Sequence, residues 1–275
     1  TAWLDREDGR LTYGTGGGVV WDSTPEAEYD ELLAKTAVVR SPWPPFRLLE
    51  TLAMDHGRAV RLDRHLARMA ASAERFDFPF PEPEVRRAVD AAAAEHPAGR
   101  LRLRLTLGPA GDVRTAVEPL TWAGAAGPDG PAAGPADGGA DGGPGEDVGG
   151  GARWPQGVAL ARSSIDRQDP FLYHKTTNRA VYDRHLAAEP GAFDVLLWNE
   201  AGEATEFCRG NLVAELDGRL VTPPVAAGLL PGCLRGQLLD EGAIAEATIP
   251  LDDLRRATGL WFINSVRGWV PVRVR

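Results

Sequence analysis

The clearest periodic signal in the chain runs from Leu62 to Phe76, where Leu62, Leu66, Met69, Ala73 and Phe76 recur at alternating spacings of four and three. That spacing puts all five on one face of a helix, and the segment Pro79 to Pro83 marks its end. A second helix is predicted from Pro83 to His96. Between Arg100 and Leu107 the period changes to two, with Leu101, Leu103, Leu105 and Leu107 on one face and arginines on the other, the pattern of a strand buried on one side. Phe46 to Ala53 and Arg58 to Arg61 read as strands around the turn Asp55-His56-Gly57.

Further along, Val158 to Arg162, Asp194 to Trp198, Leu212 to Leu216, Arg219 to Thr222, Leu260 to Asn264 and Val270 to Val274 are predicted strands, with Asp217-Gly218 as a hairpin turn. A helix is predicted to begin at Leu230 to Gly232 and to run towards Ala247. Strands and helices mix without a regular β-α-β alternation, and no GxGxxG follows a strand. The pattern predicts a mixed α+β (α/β) architecture without a Rossmann nucleotide site.

Composition divides this pattern. From Ala123 to Ala152 the chain is almost entirely Gly, Ala, Pro and Asp, which predicts a disordered insert between two lobes. Three prolines within Pro42-Trp43-Pro44-Pro45 forbid a helix and predict an extended connector. The expected organisation is a leading unit at 1–40, a linker at 41–45, a small lobe at 46–122, the insert at 123–153 and a larger lobe at 154–275. In the leading unit, Tyr13 to Trp21 reads as a strand or glycine-rich turn, followed by a helix from Ser23 or Thr24 carrying Glu28, Glu31 and Lys35.

The formal charge of -9 gives no general attraction for nucleic acid or an anionic membrane, so a small-molecule partner is expected. No apolar run approaches the roughly 20 residues of a membrane span and the polar start is unlike a secretory signal, so a cytoplasmic protein is expected. Cys208 and Cys233 are expected as reduced buried thiols, and the five histidines lack the paired spacing of a zinc site, so no transition metal is expected. Of the 30 basic residues only Lys35 and Lys175 are lysines. Where arginine serves almost everywhere, a retained lysine points to chemistry that arginine cannot do, such as forming an imine with a carbonyl.

Lys175 lies in Tyr173-His174-Lys175-Thr176-Thr177-Asn178-Arg179. Glu206 and Asn211, then Thr222-Pro223-Pro224, then Gly228-Leu229-Leu230-Pro231-Gly232-Cys233-Leu234 follow it, and Glu50-Thr51 and Arg61 with His65 and Arg68 precede it. These motifs, in this order, resemble the fold-type IV pyridoxal-phosphate enzymes, which include branched-chain and D-amino acid aminotransferases and 4-amino-4-deoxychorismate lyases. The resemblance runs from about Phe46 to the C-terminus and implies a two-lobed fold. It implies that Lys175 carries pyridoxal 5'-phosphate and moves protons at the substrate carbon, and that Glu206 pairs with the pyridinium nitrogen. It further implies that the cofactor phosphate is held by Arg61, by backbone N–H groups of Gly232, Cys233 and Leu234 at a helix start, and by Ser265.

The leading stretch Gly14-Thr15-Gly16-Gly17-Gly18-Val19-Val20-Trp21, with Pro25-Glu26-Ala27-Glu28 after it, resembles the C-terminal end of chorismate-binding enzymes such as aminodeoxychorismate synthase component I. No site residue is carried over from that resemblance. A chorismate-type tail joined to a fold-type IV domain favours the lyase, with Thr51 assisting the leaving group and Arg104, Arg179 and Arg267 meeting substrate carboxylates. Where some lyases carry an arginine followed by glycine after the alternating strand, this chain has Leu107-Gly108. A branched-chain or D-amino acid aminotransferase would share Lys175, Glu206 and Arg61. A non-catalytic domain of a larger synthase is the third reading. The family also implies a homodimer, and the leading unit implies aminodeoxychorismate synthase subunits as partners.

Overall fold

The computed structural model describes residues 2–5, 10–18, 20–21, 23–40, 43–120 and 155–275. The predicted insert at 123–153 lies outside the described residues, as do Ser41 and Pro42 of the predicted linker. The chain divides into two compact units, Thr1–Pro45 and Phe46–Arg275.

In the first unit, β1 (Ala2–Leu4) pairs antiparallel with β2 (Leu11–Tyr13). Helix α1 (Pro25–Arg40) begins where Thr24 Oγ1 accepts from the Ala27 N–H, an N-cap bond of the kind that satisfies an orphan donor. The strand lies earlier than the Tyr13 to Trp21 reading placed it. Gly14 to Gly18, four glycines and Thr15, form no strand, since glycine offers a ladder no side chain to pack, which leaves the glycine-rich alternative of that reading. Lys35 Nζ donates to the Gly16 carbonyl at 3.1 Å and pairs with Glu31.

The second unit opens with β3 (Leu48–Asp55) and β4 (Arg58–Ala59), joined by His56 and Gly57, both with positive φ as a tight hairpin turn requires. The expected strand to Arg61 stops short, because Arg61 itself turns to φ 57 and caps α2 (Leu62–Phe76). Helix α3 (Glu82–Glu95) follows, then β5 (Arg100–Leu107) and β6 (Val113–Pro119), which complete a four-stranded sheet in the order β4-β3-β5-β6. The predicted periodicities meet here. Leu66, Met69, Ala73, Val85 and Val89 from the helices pack on Leu48, Leu52, Leu103, Leu105 and Leu107 of the sheet. A leucine-to-alanine change in such a core costs about 2–5 kcal/mol.

The rest of the unit is built on a larger sheet. Its strands are β7 (Gln156–Leu160), β8 (Val195–Trp198), β9 (Ala204–Phe207), β10 (Gly210–Leu216), β11 (Arg219–Thr222), β12 (Ala245–Glu246), β13 (Gly259–Asn264) and β14 (Gly268–Val274), in the order β12-β11-β10-β13-β14-β7-β8-β9. Because β9 also pairs with β10, six of these strands close into a ring. The β10–β11 hairpin turns at Asp217 and Gly218, as their sequence predicts.

Helix α4 (Ala180–Ala188) follows the Lys175 segment, and α5 (Cys233–Asp240) starts at the glycine-proline motif. The second is far shorter than its expected run towards Ala247. Gly242 adopts φ 69 and the Ala243 N–H returns to the Leu238 carbonyl, which ends the helix, and the chain then pairs as β12 beside β11. Among the described residues no helix is long and apolar enough to cross a membrane.

Candidate active site

Strand β3 sets the position of Lys175. Leu48 bridges to Thr176, the Leu49 N–H donates to the Lys175 carbonyl at 2.9 Å, and the Arg47 N–H donates to Thr177 Oγ1 at 2.9 Å. The lysine is therefore pinned by backbone bonds to a strand of the other sheet. It opens on a cavity of about 400 Å³, whose lining includes Thr51, His65, Arg68, Glu206 and Ser265. Burial, with the Arg68 guanidinium next, lowers the Lys175 amine to about 8, so the neutral, nucleophilic form becomes accessible near neutral pH.

Glu206 sits on β9 and is 3% exposed. Its Oε1 accepts from the Tyr182 hydroxyl at 2.8 Å and its Oε2 from Asn211 Nδ2 at 3.3 Å. Burial raises this carboxyl to about 8 despite those bonds. Asn211 Nδ2 also donates to the Leu230 carbonyl at 2.8 Å, and a side chain at Gly232 would collide with Asn211 Oδ1. Glycine at the helix start therefore preserves the Asn211–Glu206 arrangement.

A second network crosses from β3 and α2 to the loops of the larger sheet. Arg68 Nε donates to Glu50 Oε1 at 2.8 Å and its Nη2 to Oε2 at 2.6 Å, while Nη1 reaches the Pro231 carbonyl at 3.0 Å. His65 Nδ1 lies 2.6 Å from Glu50 Oε2, and its Nε2 lies 2.9 Å from Ser265 Oγ. Burial alone would raise the Glu50 carboxyl, yet the charge of Arg68 and the contact with His65 bring it down to about 2. Donor atoms of Glu50, His65 and Cys233 lie within 4.8 Å of one another, but both Glu50 oxygens are already engaged.

The sequence-derived residues distribute unevenly over this cavity. Lys175, Thr51, Glu206, Gly232, Cys233, Ser265, Arg104, Arg179 and Arg267 all line it. Leu234 does not; its side chain packs with Val213, Leu238 and Ile263, so only its backbone could serve a ligand. Arg61 is also outside the lining, with Nε donating to Gln237 Oε1 at 2.5 Å on α5. Cys208 is buried with its thiol pushed up by burial, and Cys233 is pushed up to about 11 for the same reason; both are free.

Among the carboxylate candidates, Arg179 donates to the Cys208 carbonyl at 2.8 Å and lies over the Tyr182 ring at 4.8 Å. Arg267 lies over Phe193 at 5.4 Å, and burial and the nearby Arg209 lower its pKa. Arg104, opposite Thr51 in the β3–β5 register, is exposed at the rim. Arg102 joins the lining while pairing with Glu118. His65, Arg68 and Tyr182 are the functional neighbours that sequence-based assignment of roles missed. On α2, His65, Arg68 and Ser72 fall at i, i+3 and i+7 along the edge of the apolar face, a helical pattern that could have found them.

The group implied by the motifs can be tested against this geometry. A ring with an aldehyde, a basic nitrogen and a phosphate needs a deprotonatable lysine, a buried carboxylate and anion donors. Lys175 and Glu206 meet the first two requirements. The start of α5, where Gly232 adds no side-chain cap, leaves backbone N–H groups for the third. The residues fit.

Comparison with known proteins shows the family. Residues 47–274 match the family described as amino-transferase class IV, and residues 1–41 match the one described as chorismate binding enzyme. A protein of Mycobacterium tuberculosis named bifunctional aminodeoxychorismate lyase / D-amino acid transaminase is 31% identical over 244 residues, covering 80% of this chain and 78% of the relative. A Schizosaccharomyces pombe protein provisionally named aminodeoxychorismate lyase is 29% identical over 233 residues, covering 80% of this chain and 86% of its own. A Mesorhizobium loti structure provisionally named an amino-acid aminotransferase has a TM-score of 0.68 at 32% identity, covering 84% of this chain and all of the other. The fold is also that of a Mycobacterium tuberculosis hypothetical aminotransferase in its PLP-bound form, with a TM-score of 0.64 at 22% identity over 97% of this chain and 88% of that one.

Proposed function

Because the chain belongs to the amino-transferase class IV family, we propose that it is a pyridoxal-phosphate-dependent lyase converting 4-amino-4-deoxychorismate to 4-aminobenzoate and pyruvate. The observation that carries this reading is one arginine-rimmed cavity containing both the low-pKa Lys175 and the buried Glu206. The motif order and the chorismate-type leading segment support the lyase within the family.

When bound, the cofactor supplies an electron sink for the substrate carbon that bears the amine. Lys175 Nζ would hold it and, once the substrate's amine has taken the lysine's place, the freed Nζ would take the proton from that ring carbon. The electron pair left behind completes the aromatic ring as the neighbouring carbon–oxygen bond breaks, and the departing enol becomes pyruvate after gaining a proton. Thr51 lines the cavity, and we assign it to hydrogen-bond the departing oxygen. Glu206 holds the ring nitrogen's proton, with Tyr182 and Asn211 orienting its carboxylate. Arg104, Arg179 and Arg267 are assigned to the substrate's carboxylates, which arginine can meet with paired N–H donors. Backbone N–H groups of Gly232, Cys233 and Leu234, with Ser265, are assigned to the phosphate. Arg61 is assigned there as well, through its place beside α5.

We further assign the enzyme to the p-aminobenzoate branch of folate synthesis, in the cytoplasm, as a homodimer working with aminodeoxychorismate synthase subunits. Incubation of the reconstituted protein with 4-amino-4-deoxychorismate should release 4-aminobenzoate and pyruvate in equal amounts. Amino transfer to a keto acid without 4-aminobenzoate would replace the lyase by an aminotransferase. That second reading is favoured by Leu107, which is fully buried in the small-sheet core and meets no carboxylate.

A further inference from the structure

We propose that His65 is a positioning residue that takes up a proton when a phosphate dianion binds beside Ser265, which frees the Ser265 hydroxyl to donate to that anion. The inference rests on reading the cavity as a pyridoxal phosphate site.

The geometry fixes the direction of each hydrogen bond. Arg68 engages both oxygens of Glu50 at 2.8 and 2.6 Å, so Glu50 is an ionised acceptor. His65 Nδ1, 2.6 Å from Glu50 Oε2, must then carry its hydrogen. In a neutral imidazole the other nitrogen has only a lone pair. Ser265 Oγ, 2.9 Å from Nε2, therefore spends its single hydrogen on His65 and presents lone pairs to the cavity. A phosphate dianion offers only acceptors, so in this state the serine repels the anion it is meant to hold.

One proton resolves the conflict. If Nε2 takes a proton from solvent, it donates to Ser265 Oγ, and the hydroxyl hydrogen turns to the phosphate. No other bond is made or broken. The groups facing His65 are Glu50 on β3, Arg68 on its own helix, Lys175, Cys233 at the start of α5 and Ser265 after β13. Burial lowers the His65 pKa most; Glu50 raises it, and Arg68 and Lys175 lower it, leaving the ring neutral before an anion arrives. A dianion on the Ser265 side adds the missing negative charge. Cys233, pushed up to about 11, stays a thiol through the exchange.

The test uses the whole chain and two probes without an aldehyde, so that neither condenses with Lys175: 4-deoxypyridoxine 5-phosphate and unphosphorylated 4-deoxypyridoxine. Calorimetry at pH 8 in two buffers of different ionisation heat gives the protons bound with each. At this pH the phosphate is already a dianion, since its second pKa is about 6. The phosphorylated probe should draw in close to one proton more than its parent, and its affinity should fall by up to about tenfold per pH unit as pH rises from the free to the liganded His65 pKa, levelling off above the latter. Ser265→Ala should abolish the excess proton. His65→Gln should abolish it too while holding affinity within about threefold, because its amide donates to Ser265 permanently.

Equal proton uptake by the two probes in the unmodified protein would overturn the proposal, as would an excess that persists in His65→Gln or a phosphorylated probe that does not bind. Proton-linked binding without 4-aminobenzoate release would sink the lyase alone. Release without the excess proton would sink this inference alone.

Discussion

Glu50 and Glu206 are buried to nearly the same degree beside the same cavity, and their carboxyls move in opposite directions. Burial pushes both up. At Glu50 the chain supplies Arg68 and His65 and brings the group down to about 2. At Glu206 the direct hydrogen bonds come from neutral Tyr182 and Asn211, and the group is pushed up to about 8. The contrast teaches that one region is electrostatically complete as folded, whereas the other is arranged to share a proton with a basic ring nitrogen. Among the described residues Glu206 forms no ion pair.

The largest expected effect removes the amine between them. Lys175→Ala should lower turnover by at least ~10⁴-fold, because no other group can link the cofactor and move the proton. A variant retaining even a hundredth of the activity would separate Lys175 from the chemistry. Next, Glu50→Gln should destabilise the ligand-free protein in urea melts by roughly 3–5 kcal/mol, since it strands the buried Arg68 charge. Glu206→Gln should shift the same melts by less than about 1 kcal/mol near pH 7, while turnover falls by ~10²-fold. Equal melting losses in the two variants would erase the distinction.

The pH dependence of stability sharpens the same contrast. Glu50 has a folded pKa below its ordinary 4.5, so its contribution is present above pH 4.5 and is lost as pH falls towards about 2. Glu206 has a folded pKa raised to about 8, so its ionisation opposes folding, and the ligand-free protein should lose stability as pH rises from 4.5 through about 8. Urea melts across that range should show the upper decline in the unmodified protein and a flatter profile in Glu206→Gln. At the exposed rim the effects shrink. Arg104→Ala should raise KM for the carboxylate substrate by about tenfold with little change in kcat, which steady-state kinetics would read.

How far the sequence carried these conclusions depends on what each signal measures. Apolar periodicity reports burial, so the α2 face and the alternating strand from Arg100 to Leu107 were legible. It fails where a strand buries polar residues or exposes both faces. Strand β9 is buried on both faces, with Thr205 on one and Glu206 on the other, and β6 is largely exposed; neither was predicted. Lys175 stood out because lysine is scarce here, and Glu206 stood out through its motif. His65 and Arg68 matched motif positions without being given roles, since charged residues on an amphipathic helix ordinarily face water. Only the fold shows that β3 carries Glu50 against them.

The scarcity of lysine also provides the most direct test. The protein is saturated with pyridoxal phosphate, reduced with borohydride, digested and examined by mass spectrometry, with Lys35 and Lys175 as the two side chains able to carry the label. At saturating reductant, the labelling rate should rise with pH only to about 8, the value to which burial lowers the Lys175 amine. The reduced cofactor should be found on the peptide containing Lys175; a label confined to Lys35, or no label on either lysine, would contradict the assignment.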